Sequence, residues 1–292
     1  MTMNIQWIGR VVLLLLCLAP VASHAETSVW KVSGDGNHLY LGGTIHILNK
    51  ADFPLPRAFQ SAYNKADMVV LETDMAVVRS PEFQRKILLQ TTYSGDGSII
   101  QDLSDDTVKL LRNHLEQRGI PPPSLFRFKA GMLSVTLTVL ELQHLGFTEA
   151  GVDEFFWRQA LEDNKKLGYL ESADEQIEFL VNMGKGHEDE LIRQSIMEVK
   201  KLPEYMHVLR EGWRQGDMEQ LEAVGLEPWV DQFPELYDTL LLDRNRNWIP
   251  EIEHLLETAD VELVLFGALH LVGEDGILAL LEERGYRIEQ LD

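Results

Sequence analysis

The sequence has one cysteine, Cys17, in 292 residues. It sits in an apolar run near the N-terminus that reads as a removable leader, so the remaining chain is expected to hold no disulfide and no thiolate ligand or nucleophile. Basic residues are also scarce: 26 Lys and Arg stand against 47 Asp and Glu, a net charge of −21. That balance argues against nucleic acid and anionic membrane surfaces as partners, and it suits attraction of cations or a basic substrate. Beyond residue 25 no apolar run reaches the roughly 20 residues of a membrane helix. The most apolar stretch, Ala130 to Leu142, contains Glu141 and is expected to form a buried core helix rather than a membrane span. His-Glu-x-x-His, Gly-x-Ser-x-Gly and a Gly-rich phosphate loop are all missing, which removes one kind of zinc protease and the serine-nucleophile hydrolases.

The first 25 residues have the layout of a signal peptide. Arg10 closes a short n-region, Val11 to Leu18 form the apolar core, Pro20 breaks it, and Ser23-His24-Ala25 offers small residues before a cut after Ala25. Cys17 follows Leu16 inside the apolar run, so a lipoprotein site is not expected. The mature protein, residues 26–292, is then periplasmic or secreted. Losing Arg10 and no acid makes it one unit more negative.

Residues 26–292 are expected to form one α/β domain. Val29 to Val32 and His38 to Leu41 flank Gly34-Asp35-Gly36-Asn37, a hairpin signal. A helix is expected from about Pro56, then a buried strand Met68-Val69-Val70-Leu71. Residues from about 80 to 165 read mostly as helix, broken at Pro121-Pro122-Pro123. A short strand Leu167 to Leu170 follows. Helix resumes from about 174 to 256, with turns expected at Pro203, Pro228 and Pro234. Val261 to Phe266 is a β-rich run, followed by a helix from Glu274 to Arg284 and a strand from Tyr286 to Leu291.

One unit recurs near both ends: an apolar strand enters Gly-x-x-His, then come a helix and another strand. The copies are Leu39-Tyr40-Leu41-Gly42-Gly43-Thr44-Ile45-His46 and Leu263-Val264-Leu265-Phe266-Gly267-Ala268-Leu269-His270. The expected fold class is therefore α/β: a split, largely parallel or mixed sheet with two strand-Gly-x-x-His-helix-strand units and a mostly helical insertion.

His46, Glu72, Glu171 and His270 each end or directly follow an apolar strand. Parallel strands would bring them to one sheet edge, where such folds bind ligands. Two imidazoles with two carboxylates suit a divalent ion such as Mn²⁺, Co²⁺ or Zn²⁺, which acidifies water and polarises a carbonyl. Gly43 and Gly267 are expected to let the backbone leave the strand sharply so that each imidazole points over the edge. Glu175 and Gln176 lie one helical turn beyond Glu171 and support it. Arg244 is expected to hold a carboxylate or stabilise an oxyanion, with Asn245 as a neutral donor. Which of Glu72 and Glu171 is ligand and which is general base stays open. His114, His144, His187, His207 and His254 have no partner at ligand spacing.

At these residues the chain resembles the TraB/GumN family, which includes the animal TIKI proteins. The resemblance rests on Gly43-Thr44-Ile45-His46, Glu72, Gly151-Val152-Asp153, Leu170 to Gln176, Arg244-Asn245 with Trp248, Gly267-Ala268-Leu269-His270-Leu271, Gly273 to Gly276 and Gly285-Tyr286. It covers nearly the whole mature chain in order. It implies a metal-dependent hydrolase fold in which the paired histidines and nearby acids bind a divalent metal, with Mn²⁺ or Co²⁺ supporting proteolysis in TIKI members. Ser172 stands where the family more often has Thr, Asp243 where it has Glu, and Ala130-Gly131 where it has Pro-Trp.

The expected activity is that of a peptidase-like hydrolase acting on a peptide or small extracytoplasmic substrate. The alternative is an envelope protein that sequesters a peptide without cleaving it.

Overall fold

The computed structural model describes residues 27–227, 230 and 234–292. The expected leader and Pro228 lie outside the described residues.

Strands β1 (Val29–Gly34) and β2 (Asn37–Thr44) pair antiparallel, with Gly34 opposite Asn37. The two residues between them, Asp35 at φ 49° and Gly36 at φ 92°, are both left-handed. Asp-Gly tolerates that conformation, and it matches the twist of the strands it joins. Four further strands complete the sheet: β4 (Met68–Leu71), β6 (Lys166–Tyr169), β7 (Glu262–Gly267) and β8 (Arg287–Gln290). The strand order is β6-β4-β7-β2-β1-β8. Strands β6, β4, β7 and β2 run parallel, while β1 runs against both β2 and β8. Central strands of a parallel sheet are covered on both faces, which is why β4 and β7 are continuous apolar runs rather than alternating ones. Leu263 to Phe266 are fully buried.

Helix α1 (Arg57–Lys65) starts after Pro56 and packs Phe59, Ala62 and Tyr63 into the sheet core. Helices α2 (Pro81–Thr91), α3 (Asp105–Gln117), α4 (Ala130–His144), α5 (Val152–Glu162) and α6 (Ala173–Asn182) fill the first insertion and the start of the second. The 28-residue α7 (Glu188–Gln215), then α8 (Asp243–Leu256) and α9 (Ile277–Glu283), complete the helical part. Leu111 and Leu115 of α3, Leu133 and Leu137 of α4, and Ile192 and Ile196 of α7 form a second core, separate from that of the sheet. Helix α4 is the apolar stretch noted above, and Leu133, Leu137 and Glu141 are all buried in it. No helix among the described residues is long and apolar enough to cross a membrane.

Three expectations need correction. Residues 80–165 include a strand, β5 (Phe147–Ala150), which pairs antiparallel with β3 (Ile47–Asn49). Thr148 and Glu149 are both exposed, so this strand lacks the apolar alternation that reveals one. Pro203 makes no turn: it lies inside α7, where burial of Val199, Leu202 and Trp213 holds the helix together despite one lost hydrogen bond. The last helix begins at Ile277 rather than Glu274, after Gly276 at its N-cap.

Glu141 is enclosed in the helical core with its side chain only 1% exposed. Arg118 grips it with both ends of the fork, Nε to Oε2 at 2.7 Å and Nη2 to Oε1 at 2.8 Å. These bonds hold the carboxyl below its ordinary value of 4.5, against the upward push of burial. A carboxyl depressed in the folded state stabilises the protein above its unfolded pKa and loses that contribution as the pH falls through the folded value. Arg118→Met should therefore cost about 3–5 kcal/mol near neutral pH, because a buried charge is left unpaired. The gap to wild type should narrow on acidification below 4.5. Urea unfolding at the two pH values checks this; equal stability at neutral pH, or a gap that persists in acid, contradicts it.

Candidate functional site

The parallel strands end in register: Leu71 of β4 lies beside Leu265 of β7 and Tyr169 of β6, and Thr44 of β2 beside Gly267. Their carboxyl ends therefore deliver Glu72, Glu171, His46 and His270 to one edge. Helix α8 crosses this edge and adds Arg244, Asn245 and Trp248.

Arg244 is the centre of the arrangement. Its Nε donates to Glu171 Oε2 at 3.0 Å, and Nη2 donates to Glu171 Oε1 at 2.7 Å and Glu72 Oε2 at 2.5 Å. Nη1 donates to the Leu240 carbonyl at 3.2 Å and faces His270 Nε2 at 3.2 Å. A guanidinium has five N–H groups, and these contacts use all five. The guanidinium carbon also lies 4.5 Å from the Trp248 ring centre and 5.5 Å from that of Phe179. Arg244 thus has no free donor for a substrate carboxylate or an oxyanion in this arrangement.

The two carboxylates are nearly enclosed, with side-chain exposures of 11% for Glu72 and 5% for Glu171. Burial alone would raise the Glu72 pKa; the charges of Arg244 and His46 and a 2.7 Å bond from the Gly267 N–H outweigh it and bring it to about 2. Glu171 also accepts from Trp248 Nε1 at 3.1 Å and Gln176 Nε2 at 3.1 Å. Its two oxygens therefore take four side-chain donors.

The histidines sit in opposite environments. His270 is buried, which lowers its pKa to about 3, with Arg244 adding to the effect. Its Nδ1 lies 2.6 Å from Asn245 Oδ1, while Asn245 Nδ2 donates to the Asp275 carbonyl at 2.8 Å. That network makes Asn245 Oδ1 the acceptor, so the His270 proton is on Nδ1 and the Nε2 lone pair accepts from Arg244 Nη1. His46 is 59% exposed, and its Nδ1 lies 3.2 Å from Asp153 Oδ1. The Asp153 charge and hydrogen bond raise its pKa to about 9, outweighing the loss of hydration. His46 Nε2 is 3.8 Å from Glu72 Oε1.

The two motif glycines have a role other than the expected one. Neither has a positive φ; Gly267 is at −51°. What matters is the missing side chain. A Cβ on Gly43 would lie 2.7 Å from Leu271 Cδ1 and 3.1 Å from Ala268 Cα, so the two Gly-x-x-His segments pack directly on each other. A Cβ on Gly267 would lie 3.5 Å from Glu72 Oε1, 3.5 Å from His270 Cδ2 and 3.7 Å from His46 Nε2. The three side chains therefore surround one small space. Gly151 serves similarly: a Cβ there would come within 2.5 Å of the His46 backbone, and this closeness carries Asp153 to the imidazole.

Glu175 is the one expected residue that stands apart. It forms a capping box with Ser172 at the start of α6 and makes no contact with the cluster. Two contributors went unrecognised in the sequence. Trp213, deep in α7, donates from Nε1 to the Gly43 carbonyl at 2.7 Å and is fully buried. Phe179 follows Gln176 by three residues on α6, and that helical spacing from a site residue was the available signal.

Imidazole nitrogens anchored through Nδ1, with a carboxylate between them, are donors suited to a divalent metal. Thr44 Oγ1 and Thr73 Oγ1 at the same sheet edge are buried without a partner, so some hydrogen-bonding capacity is unspent there. Among the described residues, however, no three His, Cys, Asp or Glu side chains stand at metal-binding spacing. Arg244 bonds Glu72 Oε2 and faces His270 Nε2.

The contrast between the glycines is testable. Gly43→Ala should destabilise the protein by about 1–3 kcal/mol through overpacking. Gly267→Ala meets only ordinary contacts and should stay within about 0.5 kcal/mol of wild type. Thermal and urea unfolding of the two variants decides the matter, and equal losses in both would contradict it.

The model of the TraB/PrgY/gumN family matches residues 28–290, from the first strand of the sheet to the last. The chain belongs to that family. No curated protein and no solved structure matches it.

Proposed function

From this membership and the geometry of the sheet edge, we propose that the protein is a metal-dependent, peptidase-like hydrolase that acts outside the cytoplasm. The observation that carries the reading is the shared anchoring of the two histidines. Asp153 holds His46 and Asn245 holds His270, each through Nδ1. His46 Nε2 then faces Glu72, and His270 Nε2 faces Arg244 Nη1. Anchored Nδ1 atoms are the mark of ligand histidines, since they fix the tautomer and aim the lone pair.

In this reading His46, His270 and Glu72 hold the ion, Mn²⁺ or Co²⁺ or alternatively Zn²⁺. When bound, it supplies Lewis acidity that polarises a carbonyl and acidifies water. Binding at His270 replaces the hydrogen bond from Arg244. Glu171, with four side-chain donors on its oxygens, serves to hold Arg244 rather than the ion. Arg244 in turn fixes Glu72 by its second oxygen, while the Gly267 N–H fixes the first. The extracytoplasmic setting rests on the leader-like residues 1–25.

The test is metal affinity, measured by calorimetry and by metal content after dialysis, for wild type beside His46→Ala and His270→Ala. Loading with Mn²⁺, Co²⁺ and Zn²⁺ should give a tightly held ion in wild type and at least about 100-fold weaker binding in both variants. Unchanged affinity in both, or no ion retained under any loading, refutes the metal site. Incubating the loaded protein with a peptide library then separates the activities: cleavage products support the hydrolase, and retention of intact peptide makes the protein a binder instead.

A further inference from the structure

Beside the cluster, on the far side of Arg244, lies a cleft of about 350 Å³. It opens between the end of α6, the start of α7 and the segment 234–240. Phe179, Met183, Leu191, Leu236 and Leu240 form its apolar walls, and Thr239 stands on its rim. The charged residues at the cleft, Lys185, His187, Glu190 and Glu235, are all exposed at its mouth.

The cleft and the cluster share a wall. Phe179 lies against the Arg244 guanidinium at 5.5 Å, and the Leu240 carbonyl accepts from Arg244 Nη1. The local backbone serves this contact. Asp238–Leu242 is wound as a π-helix leading straight into α8, and widened turns of this kind are frequent at functional sites. Because all five Arg244 N–H groups are engaged, Arg244 turns a flat face to Phe179 and no donor toward the cleft. The neutral polar side chains of its lining, Asn182 and Thr239, are both exposed, whereas Leu191 is buried and Phe179, Met183, Leu236 and Leu240 are half-buried, so the enclosed part of the cleft suits an apolar occupant. The volume is at the lower end of ligand pockets, roomy enough for a large side chain and too small for a folded partner.

We infer that this cleft is a specificity pocket, which takes a bulky apolar side chain of a peptide whose reacting bond lies over the His46–Glu72–His270 space. The inference rests on the function proposed above for its substrate class, and Thr239, exposed among the lining residues, is a position at which a larger side chain would narrow the cleft.

The probe is a set of blocked short peptides of common sequence that differ at one position: Phe, Leu, Ala, Ser or Asp. Both cleavage by the metal-loaded protein and binding, followed by fluorescence anisotropy of labelled peptides, are measured for wild type, Thr239→Ala and Thr239→Trp. Wild type and Thr239→Ala should favour Phe and Leu over Ser and Asp by roughly tenfold or more, the scale on which apolar pockets discriminate. Thr239→Trp should reverse the order toward Ala, with metal content and melting temperature unchanged. A wild-type protein indifferent to the varied residue in both assays overturns the pocket, even if it cleaves. So does a Thr239→Trp variant that keeps its preference for Phe. If no peptide is cut but binding shows the preference and Thr239→Trp removes it, the pocket stands while the hydrolase reading falls.

Discussion

The site depends on one guanidinium. Two carboxylates at the end of a buried parallel sheet repel each other and lose hydration, and burying them unpaired would be costly without a cation between them. Arg244 meets this demand with bonds to both, and its planar fork reaches Glu171 by two parallel contacts. Lysine would offer three donors from a point charge and could not span Glu72, Glu171, His270 and the Leu240 carbonyl together. Arg244 has to be held as well, and Trp248, one turn along α8, does this by stacking on it while donating to Glu171. The helix therefore carries both the cation and the group that orients its partner.

The rest of the fold can be understood as the means of bringing that helix to that edge. Parallel strands require crossovers, and the crossovers here differ greatly in size. The one from β2 to β4 is short and holds the small strand β3 and one α-helix, α1. The one from β6 to β7 contains α6, α7 and α8, and so it returns to the sheet with Arg244 already in place. Trp213 shows that the long excursion is tied back to the sheet. It comes from α7, yet it donates to the carbonyl of Gly43, three residues before His46. Its own carbonyl accepts from Ser28 next to β1. An insertion fastened in this way constrains the site that it covers.

Much of this was legible in the residues. Met68 to Leu71 is an unbroken apolar run bounded by polar groups, and it is a buried strand over those four residues. The repeated Gly-x-x-His after such runs placed two imidazoles at one edge because parallel strands share a direction. What stayed hidden had physical causes. Strand β5 is a short outer strand with two exposed side chains, so its pattern carries no burial signal. Pro203 sits in a helix whose packing outweighs a single missing bond. As sequence the glycines suggest backbone freedom, whereas their value is the absence of a Cβ where two turns touch, a matter of tertiary contact that spacing does not encode. The sequence marks Arg244 as a donor, but only the structure shows its five N–H groups already committed.

The two Gly-x-x-His motifs look interchangeable as sequence, and their surroundings make them unlike. His46 lies outside the sheet beside Asp153, whose charge favours the imidazolium. His270 lies beneath Trp248, with ring centres 4.5 Å apart, where burial favours the neutral ring and Asn245 sets its tautomer. Each difference traces to the helix that supplies the Nδ1 partner. Helix α5 brings a carboxylate to the first histidine, and α8 brings an amide to the second, where a third carboxylate beside Glu72 and Glu171 would add repulsion around Arg244. A neutral partner at Asn245 is therefore the choice consistent with Arg244 balancing two acids already. The duplicated motif sets where the imidazoles stand, and the charge balance around Arg244 decides what each of them is.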